Sequence, residues 1–201
     1  MKSLYVLPIL MALPVSAFAG YGSYNFKPFI GYNVSVARYN HTYIEHDNHY
    51  LAKINDWNLN MENPGQFVFG VEIADVVALS LMPSVNTVST KSSYGYKEDA
   101  KYNELDFGVD VFLTKNKSFK QYISLELGYI DMDNSTKAKG AIFGAGIGCK
   151  KYFDNKMYIG ANLGYAYSTK MKLKKMDDYL YDDTTIQISG ANLSFEVGYR
   201  F

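Results

Sequence analysis

From residue 29 to the C-terminus, bulky apolar side chains alternate with small or charged ones. The pattern is clearest at the end. Ala191, Leu193, Phe195, Val197, Tyr199 and Phe201 share one parity; Gly190, Asn192, Ser194, Glu196, Gly198 and Arg200 share the other. A period of two puts successive side chains on opposite faces of an extended strand. Upstream, Ile159, Ala161, Leu163, Tyr165 and Tyr167 alternate with Gly160, Asn162, Gly164, Ala166 and Ser168. Ala141, Phe143, Ala145, Ile147 and Cys149 alternate with Gly144, Gly146, Gly148 and Lys150. Ile123, Leu125, Leu127 and Tyr129 oppose Ser124, Glu126 and Gly128, and Leu105, Phe107, Val109, Val111 and Leu113 oppose Glu104, Asp106, Gly108 and Asp110. Val77, Leu79 and Leu81 face away from Ala78, Ser80 and Met82; Phe67, Phe69, Val71 and Ile73 from Gly70 and Glu72; Ile30, Tyr32, Val34 and Val36 from Phe29, Gly31, Asn33 and Ser35. The alternation predicts eight strands.

The predicted connections differ in length. Ala74-Asp75, Lys115-Asn116-Lys117-Ser118 and Asp154-Asn155 read as tight turns, while 39–65, 90–101, 131–139 and 170–184 read as longer polar loops. Short turns at one end and long loops at the other are what transmembrane barrels show. The face opposite the apolar one is a poor solvent surface, being Gly, Ala, Ser and Asn with an occasional acid. Small side chains suit the inside of an eight-stranded barrel, which has room for little else. The bulky face carries Leu, Val, Ile and Phe at mid-strand and Tyr toward several ends, as an apolar band between aromatic girdles does. The expected fold is an all-β, eight-stranded antiparallel up-and-down transmembrane barrel. Closure satisfies the backbone polar groups that hydrocarbon cannot.

Composition adds export. Lys2, an apolar run from Leu4 to Leu13, and Ala17-Phe18-Ala19 have the order of a secretory signal peptide. This predicts a signal peptide at 1–19, cleavage near Ala19, and a barrel domain at 20–201. Nineteen Tyr and twelve Phe against one Trp and five Pro favour strands. Lys plus Arg and Asp plus Glu both number 20, so nothing points to nucleic acid. Cys149 is the single cysteine, so the chain forms no internal disulfide.

Phe201, preceded on its own face by Tyr199, Val197, Phe195 and Leu193, resembles the C-terminal β-signal of bacterial outer-membrane proteins. The whole mature chain resembles the small OmpA/OmpX-type outer-membrane barrels. That resemblance implies a bacterial outer-membrane location, insertion by the barrel-assembly machinery, and contact with outer-membrane lipid and lipopolysaccharide. It also implies loops open to a host or surface ligand, a lumen filled with ion pairs, and no cofactor. No peptidoglycan-binding domain is expected after Phe201.

Parity places Lys27, Glu72, Glu104, Asp106, Asp110, Glu126, Lys150, Glu196 and Arg200 inside. Unpaired interior charges are costly, so partners are expected, with Glu196, Glu72, Arg200 and Lys27 in one buried plug. A narrow ion path is the alternative. His41, His46 and His49 share the first long loop with Glu45 and Asp47. Imidazole and carboxylate suit Zn²⁺ or Ni²⁺, but the spacing matches no metal motif and a solvated loop is the plainer reading. Lipid A-modifying barrels set a third class. The deacylase resembling this size uses a late-strand His-Ser pair, and no His follows His49. The palmitoyltransferase type uses His, Asp and Ser near the loops; His41, Asp47 and Ser92 or Ser93 supply the ingredients without the motif. In the fourth loop, Lys172, Lys174 and Lys175 precede Asp177, Asp178, Asp182 and Asp183, a basic stretch suited to lipopolysaccharide phosphates. The expected role is therefore a non-catalytic outer-membrane protein with a structural or surface-interaction function.

Overall fold

The computed structural model describes residues 25–37, 41–46, 49–54, 60–61, 65–91, 97–114, 116, 118–133, 138–172 and 184–201, with side chains over a somewhat narrower set. The candidate signal peptide lies outside the described residues. The strands are β1 (Phe26–Ala37), β2 (His41–His46), β3 (His49–Ile54), β4 (Asn60–Met61), β5 (Gly65–Ile73) and β6 (Val77–Lys91). They continue as β7 (Lys97–Phe112), β8 (Phe119–Asp133), β9 (Ala138–Tyr152), β10 (Met157–Ser168), β11 (Met171–Lys172) and β12 (Thr184–Arg200).

Eight of them form the wall, in the order β1-β5-β6-β7-β8-β9-β10-β12, every pair antiparallel, and β12 returns to β1. At the closing seam Phe29 opposes Arg200, Gly31 opposes Gly198 and Val34 opposes Phe195. The last residue takes part: the Phe201 N–H donates to the Pro28 carbonyl at 2.9 Å. Two turns carry the tight hairpins. Ala74 and Asp75 both have positive φ (52° and 60°), and the Val76 N–H bonds back to the Ile73 carbonyl at 3.0 Å. This is the primed two-residue turn whose twist matches its strands. At the other, Lys156 holds φ 68° after Asp154-Asn155, and its N–H reaches the Phe153 carbonyl.

The stretches expected to be loops are partly strand. β2 and β3 form a hairpin whose first strand pairs with the upper part of β12 (Ile44 opposite Ile186). β4 pairs with β6, β6 runs on to Lys91, β7 begins at Lys97 and β9 at Ala138. Above the apolar band either face is free to be polar, so side-chain alternation fades there while the backbone ladder continues. The three histidines consequently sit on strand backbone: His46 opposes His49, and His41 opposes Ser189. Their side chains lie outside the described residues.

One ladder stops early. β5 pairs with β6 only from Phe69↔Leu81 to Ile73↔Val77, although both strands extend past Leu81 and Phe69. The cause is Pro83. The Phe112 N–H bonds to the Val76 carbonyl, so even-numbered β6 residues bond to β7 and odd-numbered ones face β5. Pro83 falls on the β5 side, where it has no N–H to offer.

The outward face is apolar around the wall. Leu125 (54% exposed), Ile147 (63%), Leu163 (55%) and Val197 (47%) have no protein cover. Toward one end Tyr129, Phe143, Tyr165 and Tyr167 point out, with Phe143 stacked on Tyr167 at 5.5 Å. Toward the turn end Phe119, Phe153, Tyr199 and Phe201 do the same. A closed barrel with its bulky apolar side chains outside and its polar ones inside is stable in hydrocarbon and unstable in water. The strands span a membrane.

Candidate functional site in the lumen

The lumen is layered. At the turn end, Lys120 enters from β8 and is fully buried. Its ammonium group meets Glu72 of β5 and reaches Asp75 Oδ1 at 2.8 Å. Lys27 bonds the same Asp75 oxygen at 2.6 Å and lies 4.0 Å from Glu72, while the Arg200 guanidinium is 3.5 Å from Glu72. The Tyr152 hydroxyl donates to the other Glu72 oxygen at 3.0 Å. Aromatic faces complete the shell: Lys120 stands 4.5 Å from the Phe112 ring centroid and Arg200 4.1 Å from that of Tyr152. Ring quadrupoles and paired carboxylates together replace the water these cations have lost.

A second cluster sits above. Lys150 is shared between Asp110 (3.1 Å) and Glu196 (3.2 Å), and the Tyr158 hydroxyl donates to Glu196 at 2.5 Å. Phe29, Tyr122 and Tyr158 ring Lys150 at 5.1–5.5 Å. Two of these rings rest over glycines of the neighbouring strand, Tyr122 over Gly148 and Tyr158 over Gly198, where a Cβ would occupy the ring's place. Glycine is required at both by this close approach, the cross-strand device that fills a narrow barrel.

Above Lys150 a cavity of about 60 Å³ is lined by Asn33, Ser124, Glu126, Asn162, Asn192 and Ser194 among others. Beside it, carboxylate oxygens of Glu104, Asp106 and Glu126 lie within 4.8 Å of one another, and Gln66 donates to Asp106 at 2.6 Å. Higher still the lumen is apolar, with Tyr102, Ile130, Ile142, Met171, Ile186 and Ile188 buried together.

Each interior charge named from parity therefore faces the lumen, but in different groups. Arg200 and Lys27 join Glu72, whereas Glu196 belongs with Lys150 and Tyr158 one layer up. The expectation of one plug holding Glu196 with Glu72 is corrected by the register on β1: Glu72 opposes Lys27, whereas Glu196 opposes Asn33, farther along the strand. Lys120 and Asp75 were missed. Lys120 has the inward parity of Ser124 and Glu126, but the apolar alternation begins only at Ile123; Asp75 reads as turn filler. The expectation of small interior residues also fails at both ends, which are aromatic below and aliphatic above.

No protein-family profile and no curated protein matches the sequence. Among solved structures, the solid-state NMR structure of outer membrane protein AlkL in DMPC lipid bilayers matches with a TM-score of 0.57 at 13% identity, over 91% of this chain and 94% of that one. OprG, an outer membrane protein from Pseudomonas aeruginosa, scores 0.47 at 13% identity (89% and 95% covered). Ail, the attachment invasion locus protein of Yersinia pestis, scores 0.43 at 16% (88% and 97% covered). The likeness to AlkL concerns the fold alone: the chain shares the closed antiparallel β-barrel of that protein.

Proposed function

We propose that this chain is an integral, non-catalytic protein of a bacterial outer membrane that works through its lipid-facing wall and its loops rather than as a water-filled pore. The buried Lys120–Glu72–Asp75 cluster carries the reading. With Lys27, Arg200 and the rings of Phe112 and Tyr152 it fills the turn end of the lumen. An eight-stranded barrel has no width to spare around such a plug. Planar-bilayer recording of the folded protein is expected to show no conductance steps. Steps that change with Glu126→Ala would overturn the proposal. Its partners in this reading are outer-membrane lipid and lipopolysaccharide, the barrel-assembly machinery acting on the file Leu193, Phe195, Val197, Tyr199 and Phe201, and a surface ligand held by the loops. Phe201→Ser is expected to lower the assembled yield in cells while the purified chain still folds into detergent.

The stopped β5–β6 ladder favours a second reading. An apolar upper lumen lies above a wall weakened at Pro83, so small apolar molecules would pass sideways into the bilayer instead of straight through. Proteoliposomes that equilibrate a small apolar dye faster than plain vesicles, and more slowly once Pro83→Val restores the N–H, would support it. Equal rates would end it.

A further inference from the structure

We infer that a groove on the outer wall, over the closing seam near the turn end, is a site for one glycerophospholipid with an anionic headgroup. The groove holds about 380 Å³, within the size range of small-molecule sites. Ile30, Tyr32 and Phe67 wall it on the β1–β5 side, and Met157, Val197 and Tyr199 on the β10–β12 side.

Two aromatic contacts open it. Gly31 and Gly198 oppose each other across the seam, between the outward pairs Tyr32↔Val197 and Ile30↔Tyr199. The Tyr32 ring leans away from that level, over Gly65 of β5, where a Cβ would occupy the place of its hydroxyl. There it meets Phe67 edge-on at 5.3 Å. Tyr199 packs the other way, edge-on against Phe201 at 5.2 Å. The two rings part, and the backbone of Gly31 and Gly198 is left between the walls.

The wall meets hydrocarbon rather than water, so an acyl chain is the occupant that fits. Phe119, Phe153, Tyr199 and Phe201 point out at the turn end and mark the interface there. The groove begins at Tyr199, so a chain seated in it has its headgroup in that belt. Charge at this level selects the headgroup. Lys151 is exposed between the buried Lys150 and Tyr152, and it opposes Ile159, which in turn opposes Val197. Lys156, also exposed, directly precedes Met157. Long stems carry lysine ammonium groups to the phosphate level. Asp154 shares the turn, so the three side chains sum to one positive charge. The complement is a lipid of net negative charge, phosphatidylglycerol rather than phosphatidylcholine. Short turns face the periplasm in transmembrane barrels, which sets the groove at the end away from lipopolysaccharide. The inference rests on the outer-membrane reading proposed above.

Native mass spectrometry of detergent-folded protein, titrated with phosphatidylglycerol or phosphatidylcholine of the same acyl chains, tests the site. One saturable lipid is expected, with phosphatidylglycerol held about five-fold tighter, as one net charge beside an anionic lipid gives. Lys151→Gln with Lys156→Gln should abolish the preference and leave phosphatidylcholine binding unchanged. Gly65→Val, which forces the Tyr32 ring back over the groove, should weaken both lipids about ten-fold. Ile30→Trp, which fills the groove from its own wall, carries the test if Gly65→Val does not fold. Lipids that add without saturating at one, a preference that survives the double lysine change, or folded groove variants that bind as the parent does would overturn the site. Heat-modifiable mobility of the same samples keeps the membrane-wall reading separate, since a folded barrel that retains no single lipid sinks the groove alone.

Discussion

Lys120 and Glu72 stand 48 residues apart in sequence, and their side chains meet as an ion pair in which neither is more than 1% exposed. The pair joins β8 to β5 across the lumen. Asp75, Lys27, Arg200 and Tyr152 close around it, so the turn end of the barrel is tied by charge as well as by backbone ladders.

Removing one partner leaves the other charged and buried. Lys120→Met is expected to destabilise the folded barrel by about 3–5 kcal/mol, whereas Lys120→Met combined with Glu72→Leu should cost less than Lys120→Met alone. Urea unfolding in detergent or lipid, followed by heat-modifiable gel mobility, measures both. A double variant worse than the single one would show that the pair is not a coupled unit.

Asp75 lies in the turn outside the spanning strands, and its carboxyl is held well below the usual carboxylate range, first by hydrogen bonding to Glu72 and then to Lys120 and Lys27. A depressed folded pKa contributes stability in full above the unfolded value of about 3.9, lost as pH falls toward the folded value. Stability should thus show no Asp75-dependent loss between neutral pH and about 5, then decline below about 4. Asp75→Asn should flatten that acid limb in unfolding midpoints measured across the range.

Gly198 lies under the Tyr158 ring. Gly198→Val inserts atoms where the ring packs and should cost about 1–3 kcal/mol. Adding Tyr158→Ala should recover part of the loss, which a thermal or urea series of the three variants would reveal. No recovery would mean the glycine matters for backbone conformation alone.

The turn and the broken ladder give two gains. Ala74 holds a left-handed φ that costs an L-residue roughly 1–2 kcal/mol. Ala74→Gly is expected to stabilise by part of that amount. Pro83→Val should extend the β5–β6 ladder, read as slower amide exchange at Phe67 and Gly65 in lipid nanodiscs. Unchanged exchange there would place the break's cause elsewhere.

The alternation of Leu193, Phe195 and Val197 with Asn192, Ser194 and Glu196 was enough to read the strands, their even number and their lipid-facing side, because burial in a two-sided wall is a local, period-two property. Tight turns were legible for the same reason, through Asp154-Asn155. Inward direction was also readable for Glu72, Asp106, Lys150 and Arg200. Their partners were not. Whether Arg200 meets Glu72 or Glu196, and that Lys120 is the centre of the lower cluster, depends on the register between strands and on side chains reaching across the lumen from strands distant in sequence. The sequence by itself determined which face of each strand meets lipid and that the barrel closes. Only the tertiary structure decided how the enclosed charges divide into layers, because height inside the barrel is set by the stagger of all eight strands together and by no single one of them.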